Sequence, residues 1–164
     1  MTLPSSSHPP LLLRLLHGLN GILVVLAWLT GLLVYSRFDG RWGRLPFPIS
    51  GEWMEIHGSI GVVLLPVALL FALYAVTAGR WRLRQAANAV PLLALLLAVG
   101  SGKLMQEDWL EDGQFDHLVY HLHLLAWLLI AAAVIWHVVA LLRRGGPALL
   151  RSMVGLGEAP QQDR

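Results

Sequence analysis

The feature that most constrains the fold is a long uncharged apolar run near the C-terminal end of the chain. From Leu124 to Trp136 the sequence contains no charged residue, no proline and no glycine. Such a run is too long and too apolar for an ordinary helix of a soluble protein, so it predicts a helix that crosses a membrane. Histidines flank it at positions 123 and 137. Ionisable groups inside a bilayer are costly, so both histidines are candidate functional residues.

The composition extends this interpretation to the whole chain. Of its 164 residues 56% are hydrophobic and only 13% are charged, whereas about a quarter are charged in soluble domains. Four apolar stretches, at about residues 11–35, 53–78, 86–104 and 117–143, predict an all-α integral membrane protein. Short connections favour an up-down-up-down four-helix bundle at 11–144. We expect residues 1–10 to form a disordered tail and residues 145–164 a cytoplasmic C-terminal tail.

The distribution of charge predicts the orientation in the membrane. One side carries almost only arginines, whereas the other mixes basic residues with many acids, most of them in the loop from Lys103 to Asp116. Basic residues favour the cytoplasmic side, so both termini should lie in the cytoplasm and the protein in the cell inner membrane. The arginines on that side are Arg14, Arg80, Arg82, Arg84, Arg143, Arg144 and Arg151.

The histidines fall into two layers. His17 and His137 lie at similar depths from the cytoplasmic side, whereas His57 and His123 enter their spans from the outer side. His123 and His137 are 14 residues apart, which places them within roughly 40° of each other around one helix and about 21 Å apart along it. Two imidazoles that face each other across a bundle are what a bis-histidine haem requires. Because the chain has no cysteine, covalent c-type haem, thiolate-held iron–sulfur clusters, disulfides and thiol catalysis are excluded.

Small and basic residues accompany these histidines. Gly58 and Gly61 follow His57, and Gly18 and Gly21 follow His17, where small residues permit a bulky partner to approach the helix. Arg14 lies one turn from His17. We expect Arg14, together with Arg143 or Arg144, to bind the propionates of an inner haem. For an outer haem we expect Lys103 or Arg44 to bind the propionates.

Simpler interpretations compete with each of these assignments. A lone membrane histidine is more often a packing residue than a ligand, and paired glycines usually mark helix contacts. His121 competes with His123, but its separation of 16 residues from His137 is a rotation near 160°, so it should face away. His123 is therefore the preferred ligand. The match of four histidines at two depths is what favours haem.

Three segments resemble the bacterial cytochrome b561 family, which overlaps with the b-type cytochromes of nickel–iron hydrogenases. They are R-L-L-H-G-L-N at 14–20, I-H-G-S-I-G at 56–61 and H-L-L-A-W-L-L-I-A-A-A-V-I-W-H-V-V-A-L-L at 123–142. The resemblance covers residues 11–144. It implies a four-helix membrane bundle with two non-covalent b haems, and it carries the ligand role to His17, His57, His123 and His137. The H-x-H at 121–123 departs from the pattern and leaves the outer ligand ambiguous.

The predicted function is electron transfer between the quinone pool and a redox partner at the outer face. A standalone superoxide:quinone oxidoreductase and a membrane anchor subunit of a hydrogenase or dehydrogenase are alternatives. A histidine-lined metal or proton transporter is remote, because the span centres are apolar. The expected partners are quinone or quinol, an outer-face protein or subunit, and membrane lipid, with no nucleic acid. A homodimer is a possible assembly.

Overall fold

The computed structural model describes residues 10–106 and 118–154, with side chains as far as Met105 and from Leu118 to Arg144. Within these residues all the regular secondary structure is helical: α1 is Leu11–Phe38, α2 is Trp53–Val76, α3 is Ala86–Gln106 and α4 is Leu118–Val154. A single 3-10 turn, Arg82–Arg84, precedes α3. All four α-helices are long and apolar enough to cross a membrane, which confirms the predicted fold class.

The four helices pack as a ring. Each helix lies against its neighbours in sequence, and α4 closes the ring against α1. The core at mid-length is built from small and aliphatic side chains, with Ala68 and Ala133 among the most buried. Large apolar residues such as Leu93 and Ile135 point outward instead. That distribution suits a bundle whose solvent is lipid, since lipid tails are as apolar as the core.

Two helix ends differ from the predicted bounds by three residues or more, and the other bounds agree within two. α1 continues through Ser36 and Arg37 to Phe38, because a cation in the last turn interacts favourably with the helix dipole. The helix stops where Gly40 adopts a φ of 66°. α4 continues through Gly145, Gly146 and Pro147 to Val154, although this segment was assigned to the tail. Its 37 residues make about 55 Å of helix, well beyond a hydrocarbon core of about 30 Å.

The connection between α1 and α2 folds back onto the helix ends. The side chain of Ser36 accepts a hydrogen bond from the Leu45 amide at 2.8 Å. Asp39 accepts one from the Tyr120 hydroxyl of α4 at 2.5 Å and another from Arg41 Nε at 2.9 Å. This loop therefore ties α1 to the start of α4. Residues 1–9, the acidic loop 107–117 with His117, and residues 155–164 lie outside the described residues.

Candidate metal centres

His17 of α1 and His137 of α4 lie opposite each other near the arginine-rich end of the bundle. Their ring centroids are 6.2 Å apart and the rings are inclined by 43°. Phe71 of α2 meets the His17 ring edge-on, with centroids 6.1 Å apart. Both imidazoles are half-buried. The structure thus brings together the two histidines that the depth argument paired; we call them the His17–His137 pair.

The second pair is made by His57 of α2 and His123 of α4. Their ring centroids are 6.0 Å apart and the rings are inclined by 70°. His121 lies elsewhere: it is exposed, and its Nε2 is 3.0 Å from Nη1 of Arg41. The face of α4 that carries His123 and His137 is therefore the one that meets α1 and α2, as the rotation around the helix indicates.

Both spacings fit two imidazoles on opposite sides of one metal ion. A metal–imidazole bond is about 2.0 Å long and the bonded nitrogen lies roughly 1.1 Å from its ring centroid, so the centroids of two trans ligands are about 6.2 Å apart. No group of three or more histidine, cysteine, aspartate or glutamate side chains suited to a metal occurs among the described residues. Each pair therefore offers two ligands only. A haem fits such a pair, because the porphyrin supplies the remaining four nitrogens.

Hydrogen bonds to Nδ1 set the tautomer of these rings. Nδ1 of His137 is 2.7 Å from the carbonyl oxygen of Ala87, and Nδ1 of His123 is 3.1 Å from that of Ala98. A carbonyl oxygen can only accept, so each Nδ1 carries the proton. Each Nε2 is then left with the lone pair that a metal needs. For His57 the Nδ1 partner is the hydroxyl of Thr30 at 3.1 Å.

A cavity of about 500 Å³ surrounds the His57–His123 pair. Its walls include Gly58 and Gly61, the two glycines singled out in the sequence. Nothing lies within 4 Å of the place where a side chain at Gly61 would begin. The cavity size lies within the range of ligand sites, about 300–1,000 Å³. Lys103 and Tyr120 also line the cavity.

Other glycines make the close contacts that the sequence did not reveal. A Cβ atom at Gly31 would lie 3.3 Å from Cε1 of His57, and one at Gly102 would lie 3.1 Å from Cε1 of His123. Gly18 and Gly21, beside His17, face open space. The imidazoles themselves are thus approached by glycines on a neighbouring helix, and the room for haem that we expect beside Gly18, Gly21, Gly58 and Gly61 stays a prediction. The useful signal would have been glycine on the neighbouring helix at matching depth.

The basic residues that we expect to bind haem propionates differ in their exposure and in their hydrogen-bond partners. Arg14 is half-buried one turn from His17, and Arg143 is exposed. Arg144 donates to Oε1 of Gln85 at 2.5 Å. Arg44 donates to the backbone oxygen of Asp39 at 3.4 Å, within its own loop. Lys103 is the basic residue that lines the cavity of the His57–His123 pair.

Comparison with protein families gives one decisive match. The family model described as prokaryotic cytochrome b561 matches residues 8–156, nearly the whole chain. The chain belongs to this family. It is therefore a multi-pass membrane cytochrome of the b type, a haem b protein that serves electron transfer. No curated protein and no solved structure matches the chain. Family membership confirms the resemblance seen in the three histidine-bearing segments.

Proposed function

We propose that this cytochrome holds two haem b groups and carries electrons across the membrane between the quinone pool and a redox partner at the outer face. The observation that carries the proposal is the spacing within the two histidine pairs. The ring centroids are 6.2 Å apart in the His17–His137 pair and 6.0 Å apart in the His57–His123 pair. Family membership supports haem b binding and electron transfer. The number of haems, their ligands, the quinone and the outer partner are the parts that we propose.

His17 and His137 would hold one haem, and His57 and His123 the other. When bound, haem iron supplies reversible one-electron chemistry; because two histidines would hold each haem, the arrangement favours electron transfer over oxygen binding. The protein contributes position, access and electrostatics. Gly58 and Gly61 leave room along α2, and Arg14 places a cation beside the His17–His137 pair for a propionate.

The spacing of the pairs suits transfer across a bilayer. His123 and His137 are separated by 14 residues of one continuous helix, which is about 21 Å along its axis. The hydrocarbon core is about 30 Å thick, so the two pairs occupy its two halves. The arginines near the His17–His137 pair favour a cytoplasmic position for that end, because basic residues prefer the cytoplasmic side. The protein would then sit in the cell inner membrane with both termini cytoplasmic and the His57–His123 pair on the outer side.

The test is haem quantitation with difference spectra on the purified full chain and on single variants. We expect two haems per chain in the natural sequence. His17→Ala and His137→Ala should lose one and the same haem, and His57→Ala and His123→Ala the other. His121→Ala is the matched control, because it removes an imidazole outside both pairs, and it should retain both haems. Retention of two haems in His123→Ala, or loss of one in His121→Ala, would contradict the ligand assignment.

A further inference from the structure

Two short segments that contain none of the four proposed haem ligands contact the imidazoles of the His57–His123 pair in the same manner. Thr30 Oγ1 lies 3.1 Å from Nδ1 of His57, and Ser101 Oγ lies 3.0 Å from Nδ1 of His123. The residue after each hydroxyl is a glycine, Gly31 or Gly102, whose Cα faces Cε1 of the same ring. Each imidazole thus has the hydroxyl of one residue at Nδ1 and the glycine that follows it beside Cε1, with little space for a further atom on that glycine.

The local sequence and backbone geometry of the two segments also agree. Residues 27–31 read A-W-L-T-G and residues 98–102 read A-V-G-S-G. Each hydroxyl donates to the carbonyl four residues earlier, at 2.8 Å for Thr30 to Leu26 and 2.6 Å for Ser101 to Leu97. The hydroxyl proton is therefore engaged within its own helix. The lone pairs of the oxygen are left to accept from Nδ1–H of the histidine.

The alanine three residues before each hydroxyl completes the arrangement. The carbonyl of Ala98 lies 3.1 Å from Nδ1 of His123, and the backbone of Ala27, at the matching position, also interacts with His57. Both hydroxyls are buried, Thr30 with 8% and Ser101 with 4% of its surface exposed. Because both hydroxyls are shielded from the surroundings, these bonds fix the orientation of the rings. The shared pattern is alanine, two intervening residues, a hydroxyl residue and glycine.

We propose that A-x-x-(S/T)-G at 27–31 and 98–102 forms two imidazole cradles, which orient the ligands of the His57–His123 haem and set its reduction potential. This inference rests on the proposed haem function. Thr30 and Ser101 are positioning residues: they act through the histidines. The cradle on α1 holds the histidine of α2, and the cradle on α3 holds the histidine of α4. This gives α3, which carries no ligand, a defined part in the site.

The chemistry predicts the sign of the effect on potential. An acceptor at Nδ1–H makes an imidazole a stronger donor to the metal, which favours the oxidised iron. Loss of the hydroxyl should therefore raise the reduction potential of this haem. The remaining backbone interactions of Ala27 and Ala98 would keep part of the effect. The double variant Thr30→Val/Ser101→Ala should show roughly the sum of the single shifts, because the two hydroxyls act on different ligands.

The experiment is a redox titration of the haem-loaded full chain, with the two haems resolved by optical and electron paramagnetic resonance spectra. Thr30→Val and Ser101→Ala should raise the potential of the His57–His123 haem and leave that of the other haem unchanged. Thr30→Ser, which keeps the hydroxyl, should restore the natural value. Thr77→Val is the matched control: Thr77 donates to the carbonyl of Leu73 in the same way, at 2.6 Å, but at the exposed end of α2.

The glycine half of each cradle is tested by a single added methyl group. Gly31→Ala and Gly102→Ala should shift the g-values of the His57–His123 haem, because the methyl would press on the imidazole. Gly21→Ala and Gly100→Ala are the controls on the same two helices, since nothing lies within 4 Å of the added atom. Unchanged g-values in both cradle variants would overturn the glycine part of the proposal.

The possible outcomes show which proposal fails, the imidazole cradles or the proposed haem function. Natural protein that binds no haem at the His57–His123 pair would overturn the proposed function itself. Two bound haems whose potentials do not respond to Thr30→Val and Ser101→Ala, or which shift equally at both sites, would overturn the cradles alone. If Thr30→Val loses this haem, retention in Thr30→Ser supports the cradle, and loss in both variants overturns it.

Discussion

Trp28 and Trp127 each donate the indole N–H to the backbone oxygen of the other, at 3.2 and 3.1 Å. Their rings stack with centroids 5.0 Å apart and planes inclined by 12°. The pair joins α1 to α4 between the two histidine pairs and forms part of the wall of the cavity. A reciprocal bond of this kind fixes both the rotation and the depth of one helix relative to the other. The alignment of His17 with His137 depends on both.

The first prediction concerns this pair. Trp28→Phe or Trp127→Phe each removes one interhelical hydrogen bond, and we expect about 1 kcal/mol of destabilisation from that loss, with additional loss of packing. The double variant should cost less than the sum of the single variants, since the two rings contact each other. Thermal unfolding in detergent measures this. Trp81→Phe, at an exposed indole, is the control. If the losses of unfolding free energy in the two single variants simply add up in the double variant, Trp28 and Trp127 are not coupled and the prediction is wrong.

The second prediction follows from the ring angles. The imidazole planes are inclined by 70° in the His57–His123 pair and by 43° in the His17–His137 pair. Axial imidazoles that approach perpendicular bring two iron d orbitals close in energy, which widens the spread of g-values. Electron paramagnetic resonance of the oxidised chain should therefore show two low-spin haems, the more anisotropic one being lost in His57→Ala. Two identical signals would contradict it.

The third prediction tests the cavity. Gly61→Leu places a large side chain in the space beside His57 and should reduce haem content by up to one haem per chain, with membrane insertion unchanged. Gly58→Leu should act in the same direction, because Gly58 lines the same cavity. Gly100→Leu is the control, since Gly100 is exposed and faces open space. Normal haem content in Gly61→Leu and Gly58→Leu would favour a packing role for these glycines.

The sequence predicts one part of the site well and another part poorly, for a physical reason. Depth along a helix and rotation around it follow from residue numbers, so the face shared by His123 and His137 was predictable. Contacts between helices depend on how each helix is rotated against its neighbour. Single-helix periodicity does not contain that rotation, so Thr30 and Ser101 were missed. The glycines and proline at 145–147 predict that α4 ends before them, but the helix continues past Pro147, because such local preferences are weak.

The fourth prediction concerns acid stability of the loop between α1 and α2. Burial pushes the pKa of Asp39 upward, but hydrogen bonds from Tyr120 and Arg41 and the charge of Arg41 outweigh it, so the net pKa lies below its ordinary value. A carboxyl group whose pKa is lowered by folding stabilises the fold above its unfolded pKa, about 3.9. That contribution is lost as pH falls through the lower folded pKa.

Melting temperatures in detergent as a function of pH check this. Asp39→Asn should lower the melting temperature at neutral pH, and its difference from the natural chain should shrink toward zero as the pH falls below about 4. Glu55→Gln, at an exposed acid in the first turn of α2, should show a smaller difference at neutral pH. A difference between Asp39→Asn and the natural chain that persists at low pH would contradict the charge-based explanation.

The last prediction concerns the partner at the outer face. The predicted outer side carries four basic and eight acidic residues, a net charge of −4, so this face is acidic overall. The acids at 107–116 lie outside the described residues. The arginines in the last turn of α1 and in the following loop are engaged locally: Arg37 donates to the Gly51 carbonyl, Arg41 pairs with Asp39, and Arg44 donates to the Asp39 carbonyl. Arginines held by their own loop are less suited to guide a small anion into the cavity than to keep the loop folded.

We therefore expect a cationic redox protein to exchange electrons with the haems faster than superoxide does. Its rate should fall as salt is added, because screening weakens the attraction of an acidic face. Stopped-flow oxidation of the haems by a basic cytochrome c, beside their reduction by superoxide, measures both across a salt series. A variant of Lys103, which lines the cavity, distinguishes the two electron partners. Lys103→Gln should slow the reduction of the haems by superoxide, whereas the rate of their oxidation by the basic protein should stay the same or rise. Superoxide reduction that is fast, slows with salt and depends on Lys103 would instead favour the superoxide:quinone oxidoreductase.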